Sequence, residues 1–280
     1  MYAITFAAAC ALIWGASDFC GGKATQRSHP LTVTVLSQIL GLPMIALLVG
    51  VVPGTPRGAD LLWGVAAGIL GLIGIVLLYR GLAQGAMAVV APTTAVTSAV
   101  VPIVGGLLLG ERPQAPALAG AFCAVAAIGL VSLAPGKPGE PAKVTASTIG
   151  YALIAGACFG GFFIILGFAS EDAGMWPMIG VRASSIAVGL FLVWRARAGL
   201  RLDGKSTLAL VVVAGLGDTL ANGFYLLAVQ NGELSVVAPI AALYPASTVL
   251  LALIIEKERM RPVQFAGLGL AAAALILTAT

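Results

Sequence analysis

Apolar runs of membrane-crossing length follow one another along this chain, separated by short polar breaks. Ten of them read as helices: 3–21, 31–52, 61–80, 88–109, 116–134, 148–168, 177–194, 207–229, 235–255 and 263–279. A helix needs about 20 apolar residues, range roughly 17–25, to cover the hydrocarbon core of a bilayer. The breaks carry the punctuation of turns, such as His29-Pro30, Pro53-Gly54-Thr55-Pro56, Arg112-Pro113 and Arg261-Pro262. The longest linker, Pro135-Gly136-Lys137-Pro138-Gly139-Glu140-Pro141, stands at the middle of the chain.

A central linker prompts a search for an internal repeat. At an offset of 147 residues, Val89-Val90-Ala91-Pro92 falls on Val236-Val237-Ala238-Pro239, Gly85 on Gly232, Glu111-Arg112 on Glu258-Arg259, and Ala67-Gly68 on Ala214-Gly215. At an offset of 141, Ala11-Leu12-Ile13 and Gly15-Ala16 match Ala152-Leu153-Ile154 and Gly156-Ala157. The Ala and Leu identities carry little weight in so biased a sequence; the Glu-Arg pair, the proline and the glycine in register carry more. The chain therefore divides into a first repeat at 1–134, a linker at 135–147 and a second repeat at 148–280. Five spans per repeat is an odd number, so the second copy enters the membrane from the opposite side. The expected fold is an all-α integral membrane protein of ten transmembrane helices in two inverted five-helix repeats, the geometry of secondary transporters.

Composition agrees. Sixty per cent of the 280 residues are hydrophobic and 9% are charged, and mean hydropathy is +1.05. A water-soluble protein of this size would have too few charges to coat itself. Soluble enzymes and nucleic-acid-binding domains are therefore excluded, and the net charge of +4 reads as loop charge. No basic residue precedes the first run, so that run is expected to stay in the membrane as a helix, not to be removed as a signal peptide. The loops after spans 1, 5, 7 and 9 hold eleven Lys and Arg residues against two, Arg57 and Arg112, in those after spans 2, 4, 6 and 8. The positive-inside rule then puts both termini outside. Cys10, Cys20, Cys123 and Cys158 form no metal-binding spacing and read as small packing residues.

The sequence resembles the EamA family of the drug/metabolite transporter superfamily. The resemblance is carried by Trp14-Gly15-Ala16-Ser17-Asp18-Phe19 in span 1, Leu78-Tyr79-Arg80-Gly81-Leu82-Ala83 at the end of span 3, and the Val-Val-Ala-Pro … Glu-Arg stretch that occurs twice. It covers two EamA-type units, roughly 3–134 and 148–279. It implies ten helices, a central cavity between the halves, and export or exchange of small metabolites across the cytoplasmic membrane. It also implies cytoplasmic termini, against the charge count. The second half departs from the pattern, with Ala155 where Trp14 would map.

Ionisable groups inside a bilayer cost about 2.5–3.5 kcal/mol at a helix centre and usually face a cavity or a partner. Asp18, Arg80, Arg182 and Asp218 lie in or near the spans. Asp218 sits near the middle of span 8, with Asn222 and Tyr225 at i+4 and i+7 on the same helix face. That stripe reads either as a substrate or proton site, or as a structural pair with Arg182 of span 7. Asp18 lies one turn after Trp14, and a helix-end carboxylate beside Lys23 is its plainer reading. Gln38 in span 2 is a further candidate, or a helix–helix hydrogen bond. Trp14, Tyr79 and Tyr244 could stack on a ring or a cationic substrate. Trp63, Trp176 and Trp194 sit near span ends and read as interfacial anchors. Pro92 with Thr93 and Thr97, and Pro239 with Tyr244 and Ser247, occupy matching spans; the prolines read as paired hinges and the hydroxyls as lining a pathway or re-satisfying freed carbonyls.

Gly199–Ser206 matches the phosphate-loop expression GxxxxGK[ST], but that loop requires a preceding strand and a nucleotide-binding domain. Between two membrane helices it reads as coincidence, and ATP is not expected as a partner. A membrane-embedded enzyme would need clustered His, Asp or metal ligands, whereas the single histidine, His29, lies in a loop. A receptor or assembly subunit would not need a repeat. The expected partners are a small-molecule substrate, the lipid bilayer, and protons or a counter-substrate, with no cofactor, metal or nucleic acid.

Overall fold

The computed structural model describes residues 2–83, 87–132, 145–256 and 261–279, less the side chains at 79, 82, 83, 87, 88, 252, 253 and 256. Their elements are α1 (Tyr2–Thr25), α2 (Pro30–Leu40), α3 (Leu42–Val51), α4 (Gly58–Ala83), α5 (Met87–Leu108), α6 (Ala115–Val131), α7 (Ala146–Leu166), α8 (Trp176–Arg195), α9 (Gly204–Gln230), α10 (Leu234–Ala241), α11 (Tyr244–Glu256) and α12 (Pro262–Ala279). Among the described residues there is no strand. Among the described residues nine stretches are long and apolar enough to cross a membrane. The 17-residue α6 makes the tenth span, at the short end of the usable range.

Two spans expected as single helices are each broken in two. Span 2 divides at Gly41 into α2 and α3, and span 9 divides at Ala242-Leu243 into α10 and α11. A proline follows each break. Pro43 has no N–H for the carbonyl of Ile39, nor Pro245 for that of Ala241, and each ring crowds the preceding turn. The chain tightens there instead: Met44 N–H donates to Gly41 O at 3.0 Å and Ala246 N–H to Leu243 O at 2.9 Å. By contrast, α5 runs without a break through both Pro92 and Pro102, and Pro239 lies inside α10.

The packing has an internal two-fold pattern. Helix α1 packs on α9, α10 and α11, while α7, its counterpart in the second repeat, packs on α4 and α5; α8 packs on α4 as α2 and α3 pack on α9; α6 and α12 pack on each other. Exchanging the halves turns each of these pairs into another. Lipid gives apolar helices no reason to prefer one another, so contact depends on backbones coming close. Glycines supply it. A Cβ at Gly64 or Gly180 would strike the backbone of α8 or α4, and one at Gly215 would strike Ser37 O. Side chains such as Leu12, Phe122, Ile154, Phe191 and Ile276 are more than half exposed; they form the lipid-facing surface.

Loops and helix ends on the side of the breaks after spans 2, 4, 6 and 8 are tied together. Asp60 accepts from both the backbone N–H and the hydroxyl of Ser170, each at 2.8 Å. Arg57 pairs with Asp172 at 3.0 Å, and the indole N–H of Trp176 donates to Gly54 O at 3.2 Å, so this tryptophan clasps a loop as well as ending a span. Glu111 accepts from the N–H groups of Leu234 and Ser235 at 2.6 and 2.8 Å, closing the N-terminus of α10 against the end of span 4. On the opposite side Thr32 donates to Gly199 O at 2.6 Å, and Asp203 N–H to Ser28 Oγ at 3.1 Å. The Gly199–Ser206 stretch runs from the end of α8 into the first turn of α9, with a helix before it where a phosphate loop would need a strand.

Candidate functional site

The charged and aromatic candidates converge where α1 and α2 of the first repeat meet α8, α9 and α11 of the second. Asp218 is the hub. Its Oδ2 takes Arg182 Nη2 at 2.5 Å. Its Oδ1 takes the indole N–H of Trp14 at 3.0 Å and the amide of Asn222 at 3.2 Å. Asn222 also donates to the carbonyl of Asp218 at 2.6 Å, the i+4 relation that places both on one face of α9. The other arm of the guanidinium donates to Gln38 Oε1. The Arg182 side chain is 4% exposed and that of Asp218 29%. The structural pair is therefore present, and the open side of Asp218 belongs to the same network.

Burying this ion pair is costly and is compensated only when the remaining donors and acceptors are met. Here they are met from four helices: Trp14 from α1, Gln38 from α2, Arg182 from α8, and Asp218 with Asn222 from α9. Local sequence prepares the approach. Ser17 donates to Ala214 O, and Gly21 faces the side chain of Ala214, so α1 lies close along α9. Gly15 lets α11 in, because a Cβ there would overlap Ser247 and the carbonyl of Tyr244.

Aromatic rings wall the network. Trp14 stacks near Tyr225 with centroids 6.5 Å apart and meets Tyr244 edge-on at 6.0 Å and Phe163 at 5.8 Å. Tyr225 is fully buried, lies 4.7 Å from Phe163, and donates its hydroxyl to Phe163 O at 2.9 Å; it is a wall, with its polar end already used. Asp18 stands one turn beyond Trp14 on α1. It is exposed, it lies within electrostatic reach of Asp218 and Tyr244, and it has no hydrogen-bond or ion-pair partner among the described residues.

The remaining candidates lie apart. Ser247 donates to Ala11 O at 2.7 Å and to Tyr244 O at 2.8 Å, clasping α11 to α1. Thr94 makes a similar contact in the first repeat, donating to Ala152 O at 3.1 Å, and Ala152 is the repeat mate of Ala11. Thr97 donates to Thr93 O at 2.7 Å and packs beside Gly156, on the α5–α7 contact. These hydroxyls meet carbonyls within or between helices. The side chain of Tyr79 lies outside the described residues, as do Gly85 and Glu258-Arg259 of the repeat register. Phe163 is a wall residue that the sequence did not mark, being one phenylalanine among many apolar residues of α7. The surface clefts lined by Leu200, Leu202 and Lys205, and by Trp194, Arg195 and Arg197, lie at helix ends away from this cluster.

The cluster is one-sided with respect to the repeat. The positions matching Trp14, Asp18, Gln38, Asp218 and Asn222 are Ala155, Phe159, Ile179, Gly71 and Ile75. There Gly71 and Gly74 accommodate the rings of Phe162 and Phe159, so the mate of the polar site is filled with aromatic core.

Three comparisons place the chain. A crystal structure described only as that of a protein superposes with a TM-score of 0.80 over 98% of this chain and 95% of its own, at 15% identity, which establishes a shared fold. No curated protein matches the sequence. The model of the EamA-like transporter family matches residues 1–133 and 146–280, and together with the two-repeat helical fold this shows that the chain belongs to the EamA-like transporter family.

Proposed function

We propose that this protein is a secondary transporter that moves a small metabolite or drug-like solute, by export or exchange, across the plasma or inner membrane by alternating access. The observation that supports this reading is a polar, partly open cluster, Trp14, Asp18, Gln38, Arg182 and Asp218, set between the repeats, where inverted-repeat transporters bind. Substrate would sit against Asp18, Trp14 and Tyr244. In this reading the tie between Glu111 and α10 holds one side closed, and the opposite side is the one that opens. Rocking of the halves, with Pro92 and Pro239 as the paired hinges and the break before Pro245 as an added joint, would reverse the access. Arg182 and Asp218, which neutralise each other, would change their surroundings at modest cost, as a lone buried charge would not.

Flux into proteoliposomes containing only this protein tests the reading. Efflux or counterflow of at least one member of a metabolite panel is expected, and it should stop when Cys residues placed at Glu111 and Leu234 are cross-linked. Empty-vesicle rates for every solute, or transport that survives the cross-link, would overturn alternating access through this site.

A further inference from the structure

The charges of the site do not sum to zero. Among the described residues of the cluster there are two carboxylates, Asp18 and Asp218, and one cation, Arg182. Arg182 is spent, with one arm on Asp218 and the other on Gln38. Both oxygens of Asp218 are occupied, by Arg182 on one side and by Trp14 and Asn222 on the other. The whole deficit therefore falls on Asp18, an exposed carboxylate with a second carboxylate in electrostatic reach. Lys23, the nearest cation along α1, lies over the ring of Phe19 at 5.2 Å.

What lies beside Asp18 narrows the occupant. Trp14, one turn earlier on the same face, is half-buried, and its ring is fixed by the N–H bond to Asp218. Tyr244 meets it edge-on at 6.0 Å and lies in reach of Asp18. A carboxylate flanked by aromatic rings attracts a cation twice, once by charge and once through the ring quadrupoles. An anion entering here would face the unpaired carboxylate and find no free guanidinium, because Arg182 is committed. A neutral solute would displace water from Asp18 without supplying a counter-charge.

We infer that the substrate is an organic cation, an amine or quaternary ammonium with an apolar body, whose charge sits on Asp18 between Trp14 and Tyr244. This rests on the transporter reading above. It adds the sign of the substrate's charge and shifts the binding carboxylate from Asp218, which orders Trp14 and Arg182, to Asp18.

Binding to the intact protein in nanodiscs tests it, with Trp63, Trp176 and Trp194 replaced by Phe so that fluorescence reports on Trp14. The probes are phenyltrimethylammonium, benzyl alcohol and benzoate. The quaternary ammonium carries no exchangeable proton, so proton carriage by Asp18 cannot imitate the result. Saturable binding of phenyltrimethylammonium is expected, with the other two at least about tenfold weaker. Asp18→Asn should weaken the cation about tenfold or more while eluting as a monodisperse folded species, and Asp18→Glu should restore most of the affinity. Absence of saturable cation binding, equal binding of benzoate or benzyl alcohol, or unchanged cation affinity in Asp18→Asn would each overturn the inference. Flux separates it from the reading beneath it. Transport of a neutral or anionic solute without cation binding would sink the cation and keep the transporter; selective cation binding with no flux of any solute would do the reverse.

Discussion

At the scale of the residue, this membrane interior works by exhausting its polar partners. Arg182 and Asp218 each make two or more contacts, and each contact comes from a different position along the chain, at separations of 36, 144 and 204 residues. Removing one member leaves the other charged and unpaired. Asp218→Asn should therefore destabilise the protein by about 3–5 kcal/mol, the range for breaking a buried pair, whereas the double replacement Arg182→Met, Asp218→Leu should cost much less. Thermal unfolding in nanodiscs would check this; a single variant as stable as the double one would show that the pair adds nothing to the fold. The same accounting explains why the hydroxyls read from the sequence divide as they do. Ser247 and Thr94 are spent on carbonyls of α1 and α7, and the tertiary contact, not the residue type, decides that.

At the scale of the element, helices approach through glycine and break at proline. The tight contacts predict a sharp contrast among glycines. Gly215→Leu and Gly180→Leu would drive a side chain into facing backbone and should abolish recovery of folded protein by size-exclusion chromatography. Gly150→Ala and Gly269→Ala, with open space at the Cβ, should leave it unchanged or slightly improved, because alanine favours the helix by about 1 kcal/mol. The N-terminus of α10 supplies a second prediction. Its first N–H groups end on the Glu111 carboxylate, and hydrogen bonds to a charged group are worth about 1.5–3 kcal/mol. Ser235 is fully buried behind that contact. With the four native cysteines replaced, Ser235→Cys should react slowly with a membrane-impermeant maleimide, and adding Glu111→Ala should accelerate labelling by about tenfold, the equivalent of 1.4 kcal/mol. An unchanged labelling rate would mean that this carboxylate does not hold the side shut.

At the scale of the whole molecule, two copies of one unit carry different burdens. Packing obeys the repeat: α1 on α9 answers α7 on α4, and glycines stand at both members of each contact. Chemistry does not, because the polar cluster has Phe159 and Phe162 in its mirror position. On the proposed mechanism, a symmetric frame with an asymmetric site would permit two states of similar packing energy and present one set of ligands to each side in turn. If so, Phe162→Ala on the apolar side should lower stability by about 3–5 kcal/mol, the cost of removing a core phenylalanine, with solute affinity little changed, while Trp14→Ala should lower both stability and solute affinity. Unfolding midpoints and radiolabelled-solute binding, measured on the same preparations, would separate the two.

Much of this was legible in the residues alone. The number of spans follows from run length, because hydrocarbon thickness is fixed and a helix must satisfy its own backbone bonds. The inverted arrangement follows from five being odd. The breaks in α2–α3 and α10–α11 were available in principle from Pro43 and Pro245, since proline acts on its own turn, although neither was singled out beside Pro92 and Pro239. Asp218 and Arg182 stood out because charge is expensive in lipid. What the sequence could not supply was which partner each group finds. The bonds from Trp14 and Arg182 to Asp218, the seat of Phe163 in the wall, and the lack of a partner for Asp18 among the described residues all depend on where distant helices meet. Run length and local chemistry are properties of neighbours along the chain, whereas pairing and net site charge are properties of neighbours in space.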